Sequence, residues 1–120
     1  MELPSVESAV AALSEGPHRP VWAEVDLDGI SHNVKCIREH LSPGTGLMVV
    51  VKANGYGHGA VPVAKAALCS GAQWLGVAIV EEGINLRQAG IKAPILILGV
   101  PPKWQAALVV EHGLRVAVCT

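Results

Sequence analysis

The residues best placed to do chemistry lie in one stretch, Val49-Val50-Val51-Lys52-Ala53-Asn54-Gly55-Tyr56-Gly57-His58-Gly59. A lysine at the carboxyl end of an apolar, β-branched run is unusual, because an ammonium is costly to remove from water. Strand alternation puts Met48, Val50 and Lys52 on one face, and Leu47, Val49 and Val51 on the other. If the first face lines a barrel, Lys52 stands at its carboxyl-end mouth, where the sites of such folds gather. A desolvated amine is more readily neutral, and a neutral amine can attack an aldehyde to form a Schiff base. The alternative is a lysine that snorkels from the strand end into solvent.

The glycines weigh on that choice. Gly55, Gly57 and Gly59 let the backbone take conformations closed to other residues and approach a ligand closely. Successive N–H groups in such a turn, ahead of a helix from Ala60, suit a phosphate. Tyr56, the only tyrosine, offers a phenolic donor to the same anion. A plain flexible βα loop would leave its position between two glycines unexplained. A dinucleotide fingerprint competes, since Gly55 to Ala60 satisfies G-x-G-x-x-G/A and Glu81 ends the next predicted strand, where a ribose-binding acid belongs. Against it, Lys52 to Asn54 separate the strand from the first glycine, and bulky Tyr56 and His58 occupy the loop. The Walker A loop is excluded, because no Gly-Lys-Ser/Thr follows.

The elements that must position this stretch alternate regularly. Residues 5–15 are predicted to form a short helix in an N-terminal extension spanning 1–20. Val21–Leu27 reads as a strand, with Asp28 capping a helix that buries Ile30, Val34, Ile37 and Leu41. Strands follow at Leu47–Val51, Trp74–Val80, Ile95–Leu98 and Leu114–Cys119. Helices are expected over Ala60–Ser70, through Glu82, Leu86 and Gln88 to Gly90, and over Pro102–His112. Strands apolar on both faces, alternating with helices, imply a parallel sheet. Their spacing fits about half of a (β/α)8 barrel, in a domain segment spanning 21–120. A complete, small, open doubly wound sheet fits the spacing equally well.

Composition narrows the partners. Of 120 residues, 51% are hydrophobic and 16% charged, which excludes a disordered tail. The net charge of −1 and the 3% of aromatic residues exclude the basic footprint and stacking platform of a nucleic-acid binder. No run approaches the roughly 18 apolar residues of a membrane span. Glu2, Glu7 and Glu15 with no positive charge before Arg19 argue against a targeting peptide. Cys36, Cys69 and Cys119 form no disulfide framework, which suits a reducing cytoplasm, and each is expected to be a small buried hydrophobe. Trp22, Trp74 and Trp104 are expected to be packing residues, and His58 to order the backbone. Glu81 and Glu82 would favour a helix start through its dipole. His18, His32, His40 and His112 have no metal-ligand spacing, so no metal site is expected.

Three segments closely resemble the amino-terminal part of the alanine racemase family. They are Trp22-Ala23-Glu24-Val25-Asp26-Leu27-Asp28, Val50-Val51-Lys52-Ala53-Asn54-Gly55-Tyr56-Gly57-His58-Gly59 and Ala93-Pro94-Ile95-Leu96-Ile97-Leu98-Gly99. The second is highly specific, and Gly55 stands where the family usually has Ala. The resemblance implies a pyridoxal 5′-phosphate (PLP)-dependent (β/α)8 TIM-type barrel, only about the first half of it present, in a cytoplasmic homodimer. That enzyme interconverts L- and D-alanine and supplies D-alanine for peptidoglycan. The resemblance makes Lys52 the Schiff-base lysine and one of two catalytic bases, and gives Tyr56 the PLP phosphate. Val50 and Leu98 match pocket-lining positions. It also implies that Val21–Leu27 joins a carboxy-terminal β domain and that the second base is a tyrosine of the partner subunit. These 120 residues alone are therefore expected to be inactive. A serine or broad-specificity racemase, a non-catalytic PLP-binding protein and a dinucleotide-binding oxidoreductase fragment are the other readings.

Overall fold

A computed structural model describes residues 22–119, so the expected helix over 5–15 lies outside the described residues. The chain enters helix α1 (Leu27–His40), and four strands follow: β1 (Met48–Val50), β2 (Trp74–Val77), β3 (Ile95–Ile97) and β4 (Arg115–Val116). Between them run α2 (Ala60–Cys69), α3 (Val80–Gln88) and, after a 3-10 turn over Lys103–Gln105, α4 (Ala106–Glu111). Every strand pair is parallel, and the spatial order is β1-β2-β3-β4. This order decides between the two sheets left open by spacing. A doubly wound sheet reverses direction at a switch point, whereas here each strand is added on the same side of the one before, as in a (β/α) barrel.

The two sheet faces differ. Val51, Leu75, Val77, Ile95 and Ile97 are fully buried or nearly so, packed with Val63, Ala64, Val80, Leu86 and Val109 from the helices. Each such side chain contributes about 1.5–3 kcal/mol on burial. The opposite face is made by Met48 and Val50, Trp74 and Gly76, Leu96, and Arg115, which the registers Met48↔Trp74, Val50↔Gly76, Gly76↔Leu96 and Leu96↔Arg115 align. Across it, the Arg115 guanidinium lies 5.1 Å from the Trp74 ring centroid, a cation–π contact.

Several expectations need correction. Residues 22–26 form no strand, and Leu27 already begins α1. A strand needs a neighbour to take its N–H and C=O groups, and among the described residues no strand pairs with this segment. The cap of α1 is Asp26, not Asp28: Asp26 Oδ1 accepts from Asp28 N at 2.9 Å and Gly29 N at 3.1 Å. A capping carboxylate must sit just before the first turn, and Asp28 is inside it. The helix expected over Pro102–His112 opens as a 3-10 turn, and the second strand ends at Val77 rather than Val80. Of the α1 residues expected inside, Val34 is buried but Ile37 is 53% exposed. Trp22 and Trp104 are 75% and 73% exposed, so neither packs as expected. The cysteines are not buried either: Cys36 is half-buried, and Cys69 and Cys119 are exposed.

Arg87, near the end of α3, pins the amino-end loops. Its guanidinium donates to the carbonyls of Ile91 and Ala93 at 2.8 Å each, His112 at 2.9 Å and Gly113 at 3.2 Å. Burial lowers its pKa below the ordinary arginine value, yet it remains a cation at any physiological pH. Arg87→Met keeps the stem but leaves these carbonyls without their donors. It is expected to cost about 2–3 kcal/mol, read as a lower urea midpoint with an unchanged m-value. Arg87→Lys should recover only part, because one ammonium cannot span carbonyls from two loops.

Candidate active site

Lys52 lies one residue beyond β1, after buried Val51, and is half-buried at the carboxyl end of the sheet. The chain then makes a turn of left-handed helix. Ala53, Asn54 and Tyr56 have φ of 50°, 53° and 55°, and Gly55 has 63°. For a residue with a Cβ this conformation costs roughly 1–2 kcal/mol, so Ala53 and Tyr56 hold it only because other contacts impose it. Asn tolerates the region better, and here its side chain also works: Asn54 Oδ1 accepts from Ala60 N at 3.0 Å, capping α2. His58 Nδ1 donates to Gly55 O at 3.1 Å, the backbone-ordering role expected of it.

The glycine turn is not an anion cradle. Gly55 N donates to Val51 O, Gly57 N to Ala53 O, His58 N to Gly55 O, and Gly59 N to Asn54 O. With Ala60 N held by Asn54, and Pro62 having no N–H, the start of α2 has few donors left for a phosphate. This corrects the expectation built on successive glycine amides. Their work is to close the turn, and the donor the turn presents is the Tyr56 phenol, 58% exposed. Tyr56 lines an apolar cavity of about 390 Å³ between α1 and the free edge of β1, together with Ile30, Ile37, Val50 and His58.

Val50 and Leu98 come together over Gly76. A Cβ placed there would lie 3.2 Å from Val50 Cγ2 and Met48 Sδ, and 3.6 Å from a Leu98 Cδ1. The missing side chain lets neighbouring strands bring these groups onto one low, apolar floor at the carboxyl end of the sheet. A half-buried amine just past β1, an exposed phenol on the turn that follows it and an apolar floor at the same end of the sheet are a donor set whose chemistry fits an aromatic aldehyde carrying an anionic group.

One set of contacts beside Lys52 is not legible in the sequence. Glu82, in the first turn of α3, accepts from Ala53 N at 2.7 Å through Oε1. Through Oε2 it accepts from Ala78 N at 2.7 Å and Ile79 N at 3.4 Å. These bonds end β2 early and tie its loop to the residue after Lys52. Glu81 is not at a strand end, where the dinucleotide reading needs it; it lies in α3 and accepts from Gln105 Nε2 at 2.6 Å. The fingerprint therefore loses both its free amides and its acid.

The family model for the alanine racemase N-terminal domain matches residues 25–120. The chain belongs to the alanine racemase family. It is 58% identical over 100 residues to the alanine racemase of Symbiobacterium thermophilum, covering 83% of this chain and 26% of that protein. Against alanine racemase 1 of Oceanobacillus iheyensis it is 48% identical over 101 residues, 84% of this chain and 27% of the relative. The crystal structure of alanine racemase from E. faecalis superposes with a TM-score of 0.84 at 47% identity, over 88% of this chain and 28% of that one. A Bacillus anthracis alanine racemase with bound L-Ala-P gives a TM-score of 0.82 at 45% identity, over 86% and 27%. The chain thus spans about a quarter of the racemases it matches, and its four strands are the first half of their barrel.

Asn54 carries both the turn and the cap of α2, so Asn54→Ala should destabilise the fold by about 1–2 kcal/mol. Asn54→Gly, which removes the φ strain but not the lost cap, should fall between the two. Thermal or urea unfolding of the three proteins checks that order.

Proposed function

We propose that this chain forms the PLP-binding side of a racemase that interconverts L- and D-alanine. The observation that carries the reading is the juxtaposition at the carboxyl end of β1: half-buried Lys52, the left-handed turn that presents Tyr56, and the Val50–Leu98 floor over Gly76. PLP, when bound, supplies the electron sink that acidifies the substrate's Cα–H. Lys52 Nζ would hold the cofactor, and the same amine would take or return the proton at the substrate Cα. The Tyr56 phenol donates to the phosphate. Val50 and Leu98 keep water from the ring face. Racemisation needs a second acid–base group on the opposite face of Cα; the family resemblance makes that group a tyrosine, and with Tyr56, the only tyrosine of these 120 residues, given to the phosphate, it would come from outside them. The complete enzyme is then a cytoplasmic homodimer, its second base contributed by the partner subunit, and its product D-alanine feeds peptidoglycan.

The test uses a full-length racemase in which this chain supplies the amino-terminal segment and the S. thermophilum relative supplies the rest. Borohydride reduction should fix the cofactor to Lys52, as read by peptide mass. Lys52→Arg keeps the charge but removes the nucleophile, and should abolish both the label and L-to-D conversion; retention of either would refute the role of Lys52.

Tyr56→Phe should leave attachment at Lys52 intact and weaken PLP retention. One lost hydrogen bond to a charged phosphate is worth about 1.5–3 kcal/mol, on the order of a tenfold or greater rise in Kd. Equal cofactor affinity in mutant and parent would remove Tyr56 from the phosphate site.

A further inference from the structure

We infer that Glu82 is a positioning residue for Lys52, acting through the peptide that joins Lys52 to Ala53. The inference rests on the proposed role of Lys52. Glu82 does more than favour a helix start. Its two carboxylate oxygens face two different βα loops, one taking Ala53 N and the other Ala78 N, each at 2.7 Å, with Ile79 N at 3.4 Å. Both short contacts are charge-assisted, the stronger kind of hydrogen bond. The Ala53 N–H belongs to the same peptide plane as the Lys52 carbonyl, so its direction couples ψ of Lys52 to φ of Ala53. That φ is 50°, which an alanine does not adopt by preference. Without the bracket, Ala53 is free to relax toward the right-handed region, and Lys52 moves relative to β2 and the Val50–Leu98 floor. Displacement of a reacting group by about 1 Å can cost on the order of a hundredfold in rate.

The neighbouring acid supplies the contrast. Glu81 leaves the same helix turn in another direction and holds Gln105, which is 5% exposed, in the loop after β3. Glu81 makes no bond to the Lys52 loop, so it tests whether any damage to the start of α3 has the same effect.

Glu82→Gln has the parent's length but one acceptor oxygen and an NH2 group facing a backbone N–H, so one of the two loops is released. The experiment uses the full-length racemase described above, with PLP and L-alanine as probes. Expected for Glu82→Gln is a fall in kcat of about ten- to a hundredfold, KM within about threefold of the parent, and faster deuterium exchange in the peptide covering residues 52–57. Full attachment of PLP at saturation should persist. Glu81→Gln should keep the parent's kcat and exchange. Glu82→Asp keeps the charge but is one methylene short, so it should also lose kcat; it is the second variant if Glu82→Gln does not fold. Parent-like kcat in the folded Glu82 variants, a kcat loss without faster exchange, or an equal loss in Glu81→Gln would overturn the inference. If the parent enzyme does not attach PLP at Lys52, the proposed function falls, and this inference with it. If it does and the Glu82 variants are unchanged, only the inference falls.

Discussion

The candidate site exists because Ala53 to Tyr56 are held in the left-handed region, although only one of the four is glycine. Left to intrinsic preference, Ala53 and Tyr56 would leave it, each gaining roughly 1–2 kcal/mol. What holds them is a set of hydrogen bonds made by three polar side chains: Asn54 to the start of α2, His58 to Gly55 O, and Glu82 to Ala53 N. The conformation turns the chain sharply just past the end of β1, keeping Lys52 and Tyr56 within one short turn. Strain of this kind collects where a side chain must be aimed rather than merely buried.

Helix α3 links the two ends of the half barrel. At its start, Glu82 and Glu81 reach loops at the carboxyl end of the sheet; near its finish, Arg87 takes carbonyls from two loops at the amino end. The two ends serve different purposes. Loops at the carboxyl end carry the residues proposed to meet cofactor, while the amino-end loops contain no candidate site residue and contribute stability, the usual division in such barrels.

The sheet also divides its faces by use. Against the helices it buries branched aliphatic side chains almost completely, and that packing supplies most of the driving force for these four strands. The other face is shallower, with Gly76 where a side chain would separate Val50 from Leu98. Even a Cβ at 76 would press on Met48 and Val50 at 3.2 Å, so a side chain there would push the floor apart. Among the described residues, strands β1 and β4 are each paired on one side only.

Much of this was determined by the sequence itself. The regular alternation of apolar runs with helical patterns called for a parallel sheet, and the strands are parallel; the period-two pattern of Leu47–Lys52 holds only to Val50, because the chain leaves the strand at Val51. The VKAN-x-YGHG segment marked Lys52 and Tyr56. Long-range geometry decided the rest. Strand order separated a half barrel from an open sheet, since spacing along the chain is the same in both. The glycine amides looked free until the turn closed on them, and Asp26 rather than Asp28 became the cap once the first helical residue was set by contacts. Glu82 read as a dipole effect because its partner Ala53 lies twenty-nine positions away; only the folded chain brings a carboxylate between two loops whose N–H groups would otherwise have no acceptor.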